Sequence, residues 1–203
     1  MSQLTPLLPS NDLCSFSTSQ EDYSFFANQP QCYPDVEIVC IESGAGNFIT
    51  GENRIPFRAG DVIMIGSNLP HQFSLSSEYA ADAGIPAKAS IIRFLPDFWG
   101  DTFLNLNENA YIRILLKKAK QGIMLNGAAR NNVRNLVEQI MQTTGTGKII
   151  LLLKILHKIS VCRDLEFLSS HTELTDKDEL NRMDKIYRYS RTNFNRKIHL
   201  EEI

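Results

Sequence analysis

Between Val36 and Phe94 the chain is cut into short apolar segments by turn-forming residues, and that punctuation limits the fold more than any other feature. VEIVCI is rich in β-branched residues, SGAG follows as a glycine turn, NFIT is the next short segment and GEN the next turn. IPFRAGD and VIMI repeat the pattern, and SNLP makes a loop. HQFSL and ASIIRF read as two further strands, with SSEYAADAGIPAKA as a longer surface loop. Regular short strands with turns between them predict an antiparallel sandwich or small barrel, because such sheets pack or close to hide their edges.

After Pro96 the apolar spacing becomes helical. Tyr111, Ile112, Leu115, Leu116 and Ala119 recur at three- and four-residue steps, with Gly122 where a helix would end. Val133, Leu136, Val137, Ile140 and Met141 mark a second helix, closed by Gly145 and Gly147. A third, from about Lys148 to Val161, carries Ile149, Leu152, Leu153, Leu156 and Ile159 on one wide stripe and Ile150, Leu151 and Ile155 beside it. A helix apolar almost all round is buried on more than one side, either between the sheet and its neighbours or in a subunit interface.

The balance of 43% apolar and 22% charged residues in a chain of 203 is that of a folded globular protein. Its length allows one large domain, or one domain and part of another. No apolar run reaches the ~18–20 residues that cross a bilayer, since IILLLKIL is interrupted by Lys154. The opening MSQLTPLLPSNDL lacks the basic start and long apolar centre of a secretory signal, so a cytoplasmic protein that engages no membrane is expected. The four cysteines (Cys14, Cys32, Cys40, Cys162) are scattered, which predicts reduced, mostly packing residues. The net charge of −2 excludes little, although the stretch from Arg182 to His199 is locally basic. No P-loop, dinucleotide fingerprint, G-x-S-x-G or H-E-x-x-H occurs. Trp99 reads as a packing anchor between strands and helices, and Gly60-Asp61 as a tight turn in which Asp61 bonds forward to the backbone.

The segment YPDVEIVCIESGAGNFITGENRIPFRAGDVIMIGSNLPHQF resembles the first and second barrel motifs of the cupins, and more closely the N-terminal cupin-type sensor of AraC-family transcription regulators. FLPDFWGDTFLNL, IRILLKKAKQGI and GKIILLLKILHKIS are similar to that family's post-barrel helices, and RMDKIYRYSRTNFNRKIHLEEI to the opening of its DNA-binding domain. The resemblance implies an α+β fold: a cupin-like antiparallel β-barrel (double-stranded β-helix) over residues 1–98, then a small helical dimerisation subdomain over 99–164. A linker over 165–179 and the start of a helix-turn-helix domain over 180–203 would follow, with the recognition helices beyond Ile203. The last residues, Leu200 to Ile203, read as the first turn of a helix too short to hold itself, so the chain is expected to be part of a longer protein.

Metal-binding cupins carry two histidines and a glutamate in the first motif and a third histidine in the second. By that pattern Gln31 and Tyr33 stand in the histidine places, while Glu37 and His71 keep theirs. A neutral amide and a phenol are poor substitutes for imidazole, so no metal or other cofactor is expected. The rival reading is a metal-dependent cupin enzyme, an isomerase or dioxygenase, that uses the remaining pair. As a sensor, the resemblance implies a small-molecule effector, sugars being the familiar guess, with DNA as partner of the complete protein and a homodimer as its assembly. Glu37, Val39 and Ile41 alternate onto one strand face. Glu37 and His71 are therefore the candidate polar contacts to a ligand, with Tyr33, Phe48 and Val39 as its walls. The alternative is that Glu37 and His71 only satisfy each other or nearby backbone.

Overall fold

The computed structural model describes residues 14–22, 29–79 and 86–169, all within one unit, Met1–Ser169. The basic stretch and the helix-turn-helix start expected over 180–203 lie outside the described residues.

Nine strands and four α-helices occur among these residues, in the order β1 (Ser17–Asp22), β2 (Val36–Ser43), β3 (Ala45–Thr50), β4 (Asn53–Arg58), β5 (Val62–Ile65), β6 (Gln72–Leu75), β7 (Lys88–Phe94), α1 (Gly100–Leu104), α2 (Ala110–Lys118), β8 (Ile123–Leu125), α3 (Gly127–Gln142), α4 (Thr146–Ser160) and β9 (Leu165–Phe167). They form a six-stranded antiparallel sheet, β1-β7-β2-β5-β8-β9, and a three-stranded one, β4-β3-β6. The expected closed barrel is therefore seen as two open sheets, neither closed on itself. The chain crosses from one to the other at Gly44, whose φ of 115° suits glycine alone.

The period of two in the strands decides what each face meets. Ile38, opposite Ile92 and Met64, belongs with Val36, Cys40, Phe94, Ile123 and Leu125 to the face covered by helices. There Val133, Val137 and Ile140 of α3 and Leu152, Ile155, Leu156 and Ile159 of α4 close the core. Val39, opposite Ile91 and Ile63, belongs with Ile41, Ile65 and Met124 to the other face, which packs on Phe48, Phe57 and Phe73 of the small sheet. The first six residues of β2 are all buried, as expected of a strand covered on both sides. At the edge of the small sheet, β4 carries Arg54, Pro56 and Arg58, residues that discourage pairing with another chain.

The helices lie where the spacing predicts them, and Trp99 packs between Phe98 and Phe103 with ring centroids 4.1 and 5.0 Å away. α4 buries Leu151, Leu152, Ile155, Leu156 and Ile159 but leaves Ile149 and Ile150 exposed. Several features differ from the expectation. Leu165–Phe167, read as the first residues of a linker, form an edge strand on β8. β1 and β8 also extend the large sheet, where the sequence suggested no strand. Asp61 bonds backward, accepting from the Arg58 N–H at 2.9 Å, and its other oxygen accepts from Arg130 of α3 at 3.0 Å, which ties the turn to the helical layer. Of the cysteines only Cys40 is buried, while Cys14 and Cys32 are exposed.

Close approach of the layers depends on Gly66, which ends β5 and donates its N–H to the Ala119 carbonyl at 2.8 Å. A Cβ there would collide with the Ala119–Lys120 peptide group, which is backbone and has no flexible end to yield. Gly66→Ala is expected to lower unfolding free energy by about 1–3 kcal/mol, as overpacking does, measured by urea titration.

Candidate functional site

The apolar layer between the sheets ends in a cluster of charged and aromatic side chains. Glu37 rises from β2 into this layer, at 3% exposure, because its alternation partners Val39 and Ile41 take it there. A carboxylate at that depth requires a partner, and Arg93, directly opposite it on β7, supplies one. The Arg93 Nε donates to Glu37 Oε1 at 2.5 Å, Nη1 to Glu21 Oε1 of β1, and Nη2 to Glu21 Oε2 at 3.3 Å. One guanidinium thus holds two carboxylates from two strands. Burial works against its charge, yet the bonds to Glu21 and the field of Glu37 outweigh that and raise its pKa. Burial likewise opposes ionisation of Glu21, and the bonds from Arg93 and Ser19 overcome it, lowering the carboxyl below its ordinary value.

His71 stands just before β6, 4% exposed. Its backbone exchanges hydrogen bonds with Gln31 at 2.8 and 2.9 Å, which brings the segment that carries Tyr33 alongside the ring. The ring stacks on Phe48 (centroids 5.7 Å apart, planes at 19°), meets Phe73 edge-on at 5.9 Å, and has Tyr33 at 6.5 Å. Nδ1 lies 2.9 Å from the Leu69 carbonyl oxygen. A carbonyl only accepts, so Nδ1 carries the proton and donates it. Nε2 faces Glu37 Oε2 at 3.6 Å, beyond hydrogen-bond distance, and has no hydrogen-bond partner among the described residues. Burial lowers the pKa of His71 and outweighs the opposing pull of Glu37 and of the Leu69 bond, so the imidazole is neutral at pH 7. Burial also raises the pKa of Tyr33, helped by the Glu37 charge, and raises that of Asp35 against the pull of Arg93.

All five residues singled out in the sequence therefore meet here: Glu37 and His71 face each other, Phe48 and Tyr33 flank the imidazole, and Val39 lies next along the same strand face as Glu37. Glu37 and His71 do not satisfy each other, since two acceptor atoms face across the gap. Arg93, Glu21 and Phe73 were missed. Arg93 left a readable signal, for in ASIIRF it shares the inward parity of Ala89 and Ile91. Glu21 left none, because it lies in a polar segment with no alternation to betray a strand. Among the described residues no three His, Cys, Asp or Glu side chains are grouped where they would hold a metal ion, and no helix is long and apolar enough to cross a membrane.

The sequence profile of the AraC-like ligand binding domain matches residues 10–148. Among solved structures the chain is similar to the AraC-like transcriptional activator CuxR, with 13% identity over 89% of this chain and 58% of that one, at a TM-score of 0.45. It is also similar to ToxT from Vibrio cholerae O395, with 14% identity over 93% of this chain and 67% of that one, at a TM-score of 0.44. The unsaturated fatty acid-bound wild-type ToxT from Vibrio cholerae strain SCE256 matches at 13% identity over 91% of this chain and 65% of that one, at a TM-score of 0.42. The chain thus spans under two thirds of the length of CuxR. No curated protein matches it in a sequence search.

The lowered pKa of His71 fixes the sign of a pH effect. Below its unfolded value of 6.5 the unfolded chain takes up a proton that the folded one refuses, so this contribution is full above that pH. It is lost as pH falls below it, by up to about 1.4 kcal/mol per unit until the folded pKa is reached. Urea unfolding between about pH 7.5 and 5.5 should show this decline, and His71→Phe, whose ring keeps the stack on Phe48, should flatten it.

Proposed function

This chain belongs to the AraC-like ligand binding domain family, and we propose that it is the ligand-sensing and dimerisation portion of an AraC-type transcriptional regulator of the cytoplasm. The observation that carries the reading is the buried imidazole of His71, whose Nε2 lacks a partner among the described residues beside the equally buried Glu37. Protein interiors rarely leave such an atom unpaired, because an unmade hydrogen bond costs about 1–3 kcal/mol. A small molecule that completes the pair, seated against Phe48, Tyr33 and Val39, would recover that loss. Sugars are one effector class to test.

A ligand shifts an equilibrium only by binding one arrangement better than another. Strand β7 offers a physical link to the helices. Next to Arg93, Phe94 packs on Phe98 with centroids 4.8 Å apart, and the ring contacts continue through Trp99 to Phe103 of α1. Occupancy at Glu37 and His71 would bias the packing of this ladder, and with it the presentation of the DNA-binding domains that the family places after residue 180. α3 and α4 are the proposed dimer contact, with Ile149 and Ile150 as its exposed apolar residues. The double-stranded β-helix remains the proposed parent architecture of the two sheets, and the stretch that follows β9, up to residue 179, the proposed link to the DNA-binding part.

A thermal-shift screen of small metabolites is expected to return at least one compound that raises the melting temperature of the protein and loses its effect in Glu37→Gln. At a hundredfold excess over Kd the stabilisation is about 2.7 kcal/mol. A screen without such a compound removes the sensing reading. Stoichiometric metal in the purified protein, with a catalytic activity abolished by Glu37→Ala and His71→Ala, would replace it by the metalloenzyme. For the assembly, analytical ultracentrifugation over a concentration series should show a dimer that Ile150→Glu weakens. Monomer alone at the highest concentration would remove the proposed contact.

A further inference from the structure

We infer that the polar end of this site takes a hydrogen-bond donor, a hydroxyl or amino group on an apolar or aromatic body, and turns carboxylates away. The inference rests on the sensing reading above and names the chemical class of the effector. It follows from an inventory of donors and acceptors.

Acceptors stand open at the centre. Because the Leu69 carbonyl claims the Nδ1 proton of His71, the other ring nitrogen of the neutral imidazole is a lone pair. That lone pair faces Glu37 Oε2 at 3.6 Å, so two acceptors face each other without a proton between them. Only a group that brings its own hydrogen can bond to either.

The cation, in contrast, is already paired. Arg93 is the group that a carboxylate would seek here, and its Nε, Nη1 and Nη2 each give a hydrogen bond to Glu37 or Glu21, whose two charges outweigh its own. Glu21, Glu37 and, more weakly, Asp35 surround this one guanidinium electrostatically. An incoming carboxylate would therefore meet a carboxylate and a lone pair in a buried setting, where like charge and lost hydration both count against it. A hydroxyl suffers neither penalty, and an ammonium gains from the negative balance. Phe48 and Phe73, both fully buried, pack on the His71 ring, so the surroundings of its Nε2 are apolar and favour an apolar body on the head group.

Four compounds that share one ring test this: benzyl alcohol, benzylamine, benzoate and toluene, titrated into the full chain with 15N-labelled histidine. The free protein should show His71 neutral with its proton on Nδ1. Benzyl alcohol or benzylamine should move the Nε2 resonance and bind at least about tenfold more tightly than benzoate or toluene, a preference worth one hydrogen bond. His71→Phe should erase the preference. A His71 proton found on Nε2 in the free protein, or benzoate bound as tightly as the alcohol, overturns the inference and leaves the sensing reading standing. If none of the four binds, the head group of the compound found in the metabolite screen decides. A donor that moves Nε2 supports the inference, and a carboxylate that does not overturns it. A screen that also yields nothing removes both readings together.

Discussion

Strand β2 is covered on both faces, by the small sheet on one side and by the helices on the other, so every polar group it carries must find its partner inside the protein. Among its six buried residues only Glu37 is charged. An isolated carboxylate at that depth would cost several kcal/mol or give up its charge. Arg93 resolves this from the neighbouring strand, and because its remaining nitrogens reach Glu21, the same guanidinium also fastens the edge strand β1 to the sheet. Three strands are tied by a single cation, and the geometry of the candidate site is set by that tie.

His71 is governed differently. Main-chain bonds to Gln31 place it, the Leu69 carbonyl fixes its tautomer, and Phe48 and Phe73 hold its ring from the face and the edge. Every constraint on the imidazole is thus met by the protein except the one at Nε2. A histidine with both nitrogens satisfied would be an ordinary packed residue. Here the orientation is set by contacts on several sides and the bonding is incomplete, which is the combination a preorganised binding group shows.

Much of this was legible in the chain itself. Alternation in VEIVCI placed Glu37 on the face of Val39 and Ile41, and the helical spacing located α2, α3 and α4 within a few residues. What escaped has a common physical cause. β1 (STSQED) has no apolar face of its own and is held by pairing with β7, while β8 (IML) and β9 (LEF) are three residues each, too short to carry a period. Their strand character comes from backbone hydrogen bonds to a neighbour already in place, which no local pattern records. Glu21 was lost with β1, and the second partner of Arg93 with it.

Read alone, the chain determined the classes of its longer apolar elements, the inward parity of Glu37 and the presence of a lone second-motif histidine, because side-chain direction in a strand follows from a period of two. Tertiary structure decided the rest: that the sheets stay open and are covered by packing, that Arg93 is spent on Glu21 and Glu37, and that His71 offers a lone pair instead of a proton. Those outcomes depend on which atoms meet across strands far apart in sequence. Hydrogen-bond direction in particular is set by the partner, so the chemistry of His71 was settled only when the Leu69 carbonyl came within 2.9 Å of its ring.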